Sequence, residues 1–245
     1  MVSGFIVATL GIIVYSLWVR RDTWWSRWEV TATFAVAMEG CALLLMSPWA
    51  SAAAGAMLHQ ALGVWNVQQM LGHLCLIAAV SGNIYHMLVR LADPEQVRSF
   101  MRRQLMVPIW LAIAIMVPAF LLAAQEYQRD FFSAPATDAW MVVYELVACA
   151  VVLYLSAYVS RLMLALRHDP RAKTTIDLYL VSMGFAAAAC VTVAGSAWGG
   201  GDDAGPVIWV FICLSVGIFA YGSARSWQAK SSWFTSGGGT VIGAK

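Results

Sequence analysis

Charge is what this chain has least of. Only 11% of its 245 residues are Asp, Glu, Lys or Arg, against about 25% in an ordinary soluble domain. A water-solvated surface over most of the molecule is therefore excluded. No like-charge run exceeds two residues and the net charge is +2, so there is no acidic or basic tail and no footprint for nucleic acid. No polar stretch is long enough for a soluble catalytic or DNA-binding head. Lysine is scarcer still: the last apolar segment, Pro206–Ser223, holds none, which excludes a retinal Schiff base there. Histidines number four. Two of them, His73 and His86, share one apolar segment, but thirteen steps of about 100° place them on nearly opposite faces. No second pair exists to complete a haem site. The five cysteines show no CxxC spacing and read as small buried apolar side chains, not as a disulfide framework or zinc site. Motifs of the H-E-x-x-H, Walker A, G-x-S-x-G and G-x-G-x-x-G kinds are absent as well. No catalytic residue, metal site or cofactor is expected.

What the chain has in abundance is apolar length. Hydrophobic residues make up 61% of it, and mean hydropathy is +0.71. Seven segments approach the roughly 20 apolar residues that a membrane span needs. They are Ser3–Val19, Val30–Met46, Val67–Leu91, Leu105–Ala124, Ala139–Leu162, Asp177–Trp198 and Pro206–Ser223. The expected fold is all-α, a polytopic membrane protein with a bundle of seven transmembrane helices in a single domain over residues 1–235. The first segment is expected to be a retained helix and not a cleaved leader, and residues 236–245 a disordered tail.

The basic residues orient this bundle. All but Arg129 of the fifteen lysines and arginines fall in four clusters. These are Arg20/Arg21/Arg27, Arg90/Arg98/Arg102/Arg103, Arg161/Arg167/Arg171/Lys173 and Arg225/Lys230/Lys245. Two spans separate successive clusters, so all four share one side. Positive charge is retained in the cytoplasm, which predicts the N-terminus outside, the C-terminus inside, and a bacterial-type cytoplasmic membrane. Eleven of the twelve tryptophans fall near predicted span ends, where an amphipathic ring is favoured.

The connections differ in character. Ser47–Asn66 is too apolar for an ordinary loop and is expected to lie flat in the interface or fold back onto the bundle. Ala92–Gln104 begins with Asp93 and Pro94, a helix start, and is expected to form a short helix on the inner leaflet. There Arg98, Arg102 and Arg103 are candidates for phosphate headgroups. Gln125–Asp138 and Gly199–Gly205 read as short polar turns. Gly195 and Gly199, with Gly184 further in, have the small-residue spacing of close helix packing.

Ionisable groups inside the hydrocarbon are costly, so each is a functional candidate. Glu39 lies near the middle of the second span, at about the depth of Asn83 in the third. It is either a proton or cation site, or a protonated carboxyl bonded to Asn83 or Ser81. His73 and Glu145 both lie about six residues in from the outer ends of their spans. They are expected either to pair as a proton relay or to hold two helices together, with Gln68 and Gln69 making that mouth polar. His86, near the inner end, reads as an interfacial histidine. Three functions fit. The first is a non-catalytic accessory, sensory or regulatory protein acting through a membrane or cytoplasmic protein partner. The second is a small secondary transporter or proton-coupled permease using Glu39, His73 and Glu145. The third is a lipid-acting enzyme using His86 and the inner arginines.

Overall fold

A computed structural model describes residues 2–123, 126–133, 138–170, 172–199 and 204–237; of residues 198, 199 and 232–237 only the backbone is described. Among them there is no strand. The helices are α1 (Val2–Val19), α2 (Val30–Met46), α3 (Pro48–Leu62), α4 (Val67–Leu91), α5 (Pro94–Phe100), α6 (Val107–Leu122), α7 (Ala139–Leu166), α8 (Lys173–Gly199) and α9 (Gly205–Gly237). Six helical stretches are long and apolar enough to cross a bilayer alone, and α2 with α3 passes as a bent pair. The protein is a polytopic all-α membrane bundle, and its large outward-facing apolar side chains, such as Val14, Leu111 and Val191, suit contact with lipid.

The α2–α3 break has a local cause. Ser47 precedes Pro48, and the proline ring drives the preceding residue out of the helical region; Ser47 sits at ψ 151°. Its Oγ accepts a hydrogen bond from the Ala50 N–H at 3.3 Å, capping α3. The two axes diverge by 74°, so α3 turns sharply away from the span before it. It ends at Gly63, whose φ of 71° is the left-handed conformation that glycine tolerates best. Gln68 and Gln69 then fix the turn. The Gln68 amide donates to Ser51 Oγ at 3.0 Å and the Gln69 amide to the Met46 carbonyl at 3.1 Å. Both side chains are buried in this role and do not line a mouth.

Six helices close into a ring: α1 packs on α2, α2 on α4, α4 on α7, α7 on α8, α8 on α9, and α9 back on α1. α6 lies outside the ring against α7. The α8–α9 seam is tied by reciprocal bonds, each 2.9 Å, from Ser182 Oγ to the Ser215 carbonyl and from Ser215 Oγ to the Ser182 carbonyl.

Several expectations are corrected. Ala92–Gln104 is not a separate surface helix. α5 runs through a π-helical stretch, Met101–Met106, into α6, and the whole 94–122 stretch qualifies as one span. At 1.5 Å per residue it exceeds the hydrocarbon thickness of roughly 30 Å, enough to extend past the bilayer or to cross it at a tilt. α9 likewise continues beyond Ser223, to Gly237; the tail beyond 237 lies outside the described residues. Gly184 and Gly195 pack against nothing in the bundle, since a Cβ at either would meet no atom within 4 Å. The close approaches are elsewhere, at Gly72 and Gly205. Cys41 is exposed, not buried. The 125–138 connection is not simply polar, because Phe131 is inserted into the bundle with 2% of its surface exposed.

Candidate functional site

The ring encloses a cavity of about 90 Å³, against the roughly 10–15 Å³ one water requires. Its wall is chiefly apolar, and the ionisable carboxyl and imidazole groups in it are the intramembrane candidates. Glu39 comes from α2, His73 from α4 and Glu145 from α7, and all three line this one space. Along α7 the lining residues recur as Glu145, Cys149, Val152 and Ser156, the i, i+3, i+4 face of a helix. Glu145 and Ser156 are eleven residues apart, about 16 Å at 1.5 Å per residue, so the cavity is elongated along the bundle axis.

Each polar group has a distinct environment. His73 Nδ1 lies 3.1 Å from the Gln69 carbonyl and 2.8 Å from the Tyr144 hydroxyl. With a proton on Nδ1 the ring donates to the Gln69 carbonyl; without it Nδ1 accepts from the Tyr144 hydroxyl. Phe131, Phe132 and Tyr144 pack edge-on around the imidazole. Glu39 is 5% exposed, and its Oε2 is buried without a hydrogen-bond partner. The expected bonds from Glu39 to Asn83 or Ser81 do not form: Ser81 Oγ donates to the Ile77 carbonyl at 2.7 Å. Asn83, though buried, lies one turn past Val80 and outside the cavity lining. Glu145 makes no hydrogen bond among the described residues, so the direct Glu145–His73 pair is absent, although both face the same space. Ser156 Oγ is a further lining atom that is buried and unpartnered.

Phe131 and Phe132 close the cavity at the end away from the basic clusters. They sit on a single 3-10 turn, Phe131–Ser133. Asp130 holds that turn, its Oδ1 accepting from the Phe132 N–H at 3.2 Å and its Oδ2 from Ser133 Oγ at 2.9 Å. The indole N–H of Trp209, the one tryptophan read as lying away from the span ends, anchors Asp130 to α9 at 3.0 Å.

At the basic end the helices are tied together by ions. Glu29, at the start of α2, pairs with Arg20 at 3.1 Å, with Lys230 at 3.0 Å and with Arg90. Arg20 is 2% exposed; its guanidinium also donates to Thr33 Oγ1 at 3.0 Å and to the Ser223 carbonyl at 3.1 Å. α1, α2, α4 and α9 are thereby joined at one carboxylate. Burial works to raise the Glu29 carboxyl, but the Lys230 and Arg90 charges outweigh it and hold the group below its ordinary value.

Sequence reasoning brought forward Glu39, His73 and Glu145 but passed over Tyr144, the Phe131–Phe132 plug and Glu29. The α7 face repeating from Glu145 was readable and would have found Cys149 and Ser156. The plug and the ion hub depend on contacts between distant segments. Of the headgroup candidates, Arg98 and Arg102 face a second cavity near the basic end and Arg103 does not line it.

No protein-family model matches the chain, and no curated protein or solved structure matches it either.

Proposed function

We propose that the protein is a small permease that couples movement of its substrate to protons, with Glu39, His73 and Glu145 as the titrating groups of one central site. The observation that carries this is the sharing of a single cavity by three ionisable side chains drawn from three separate helices. His73 meets Tyr144 across the α4–α7 contact; if Glu39 and Glu145 served only to hold helices together, their burial would be offset by such interhelical bonds too. Glu39 Oε2 has none, and Glu145 makes none among the described residues. Among the described residues no lysine or arginine lines the space, so the counter-charge to an ionised Glu39 or Glu145 comes from His73, a proton or an incoming cation. The cavity volume suits protons, waters or a small cation. The basic end faces the cytoplasm of a bacterial-type cell membrane in this reading, by the retention of positive charge.

The test is proton flux into vesicles reconstituted with the full chain, read by an entrapped pH dye under an imposed pH gradient and potential. Wild-type protein is expected to dissipate the gradient. Glu39→Gln and Glu145→Gln are expected to lose most of that flux, on the order of tenfold or more if each removes an obligatory carrier. Flux no greater than in protein-free vesicles, or flux unchanged in both variants, overturns the proposal. The accessory or regulatory role would then lead, and a stoichiometric protein partner retained through size exclusion would be its signature.

A further inference from the structure

A second cavity, of about 790 Å³, lies near the basic end and shares no residue with the central one. It opens where the last turns of α4 meet the start of α2 and the α5–π–α6 helix. Among the described residues its charged lining is Arg27, Arg98 and Arg102, with His86 in its wall and no Asp or Glu. None of the three arginines makes an ion pair among the described residues, although Glu29 nearby gathers three cations of its own. His86 is oriented through Nδ1, 3.3 Å from Thr31 Oγ1. Apart from Thr31 and Tyr85 the rest of the wall is apolar, including Val89, Val97, Met101 and Met106. Trp28, 66% exposed, stands at its rim.

The register of the α5–π–α6 helix produces this division. Arg98, Met101, Arg102 and Met106 follow one another at i, i+3, i+4 and i+8, a single helix face, and all line the cavity. The π-helical stretch begins at Met101, and such widened turns recur at functional sites. The result is a pocket in which two arginines alternate with apolar side chains along one helix face. Guanidinium groups bind phosphate through paired, charge-assisted hydrogen bonds.

We propose that this pocket is a binding site for an anionic phospholipid of the leaflet at the basic end. Its phosphate lies among Arg27, Arg98 and Arg102, and an acyl chain runs along the Val97–Met106 wall. The site stands apart from the permease reading and from the Glu39 cavity.

The experiment is native mass spectrometry of the full chain in mild detergent. It is titrated separately with phosphatidylglycerol, phosphatidylcholine and inorganic phosphate. Wild-type protein is expected to retain one phosphatidylglycerol in preference to phosphatidylcholine, and inorganic phosphate is not expected to displace it. The double substitution R98A/R102A is expected to weaken retention by about tenfold or more, for the loss of two charge-assisted contacts. R103A, which removes an exposed arginine outside the pocket, is expected to leave retention unchanged. Three results would each overturn the proposal: equal retention of phosphatidylcholine, an equal loss in R103A, or displacement of the lipid by phosphate alone. All three arginines substituted are exposed, and an unchanged thermal midpoint in R98A/R102A separates lost binding from lost folding.

Discussion

Replacing Glu29 with glutamine would strand the Arg20 guanidinium, 3% exposed, beside a group that no longer carries charge. Removing one partner of a buried pair costs about 3–5 kcal/mol. Arg90 and Lys230 are 39% and 30% exposed, so solvent screening leaves them a smaller share. Glu29→Gln is therefore expected to lower the thermal midpoint in detergent clearly, and mainly through Arg20. The pH dependence follows from the direction of the Glu29 shift. Its folded-state pKa lies below the unfolded one, roughly 4.3. The stabilisation is complete above that value and is lost as pH falls through the folded pKa. Wild-type protein should lose midpoint in that acid range faster than Glu29→Gln; parallel curves would remove Glu29 as the cause. Glu29 could not be picked out from the sequence because its partners lie 9, 61 and 201 positions away. Glu39, His73 and Glu145 were legible for the opposite reason. A lone ionisable group in an apolar run is conspicuous without knowledge of any contact.

At the scale of the element, apolar length and tryptophan position were enough to find every span, and α2 and α4 begin and end where the sequence placed them. What escaped was continuity across polar residues. The Ala92–Gln104 segment and the stretch after Ser223 carry arginine, lysine and glutamine, which reads as an exit from the membrane. A helix does not stop at the headgroups, however, when its backbone hydrogen bonds and a partner such as Glu29 continue beyond them. The small-residue contacts were also misplaced, because spacing alone cannot tell which face meets a neighbour. The α2–α4 contact runs through Gly72. A Cβ there would lie 2.5 Å from Met46 Cγ and 3.2 Å from the Ala42 carbonyl. The Met46 side chain can swing aside, but the Ala42 carbonyl is fixed in α2. Gly72→Ala is expected to destabilise the protein by about 1–3 kcal/mol, the usual range for overpacking. Gly184→Ala, in open space, is expected to be neutral. Thermal midpoints of the two variants in one detergent decide it, and equal values would mean that α2 and α4 are not in contact at this depth.

For the whole molecule, the two ends of the helix ring are held unequally. Toward the basic end the ring is locked by Glu29 and three cations on four segments. Away from it, one 3-10 turn carrying Phe131 and Phe132 covers the cavity. If the proposed permease exposes its central site to the two sides in turn, opening is easier where fewer interactions must break, and the proposal then predicts that the end capped by Phe131 and Phe132 opens first. Gly205 controls that turn. A Cβ at 205 would lie 2.8 Å from Ser133 Cα and 3.0 Å from the Phe132 carbonyl, and backbone atoms this close cannot accommodate it without shifting the turn. Gly205→Ala is therefore expected to loosen the plug and leave the Glu29 lock untouched. Cys149 and Cys190, which line the cavity, report on it. A charged, membrane-impermeant thiol reagent added from the plug side should modify them faster in Gly205→Ala than in wild type. The gain is roughly tenfold for each 1.4 kcal/mol of loosening, read by mass spectrometry of the two cysteine peptides. The same reagent from the basic side should show no gain. A gain on both sides would mean general destabilisation, and no gain on either would show that the Phe131–Phe132 turn does not close the cavity.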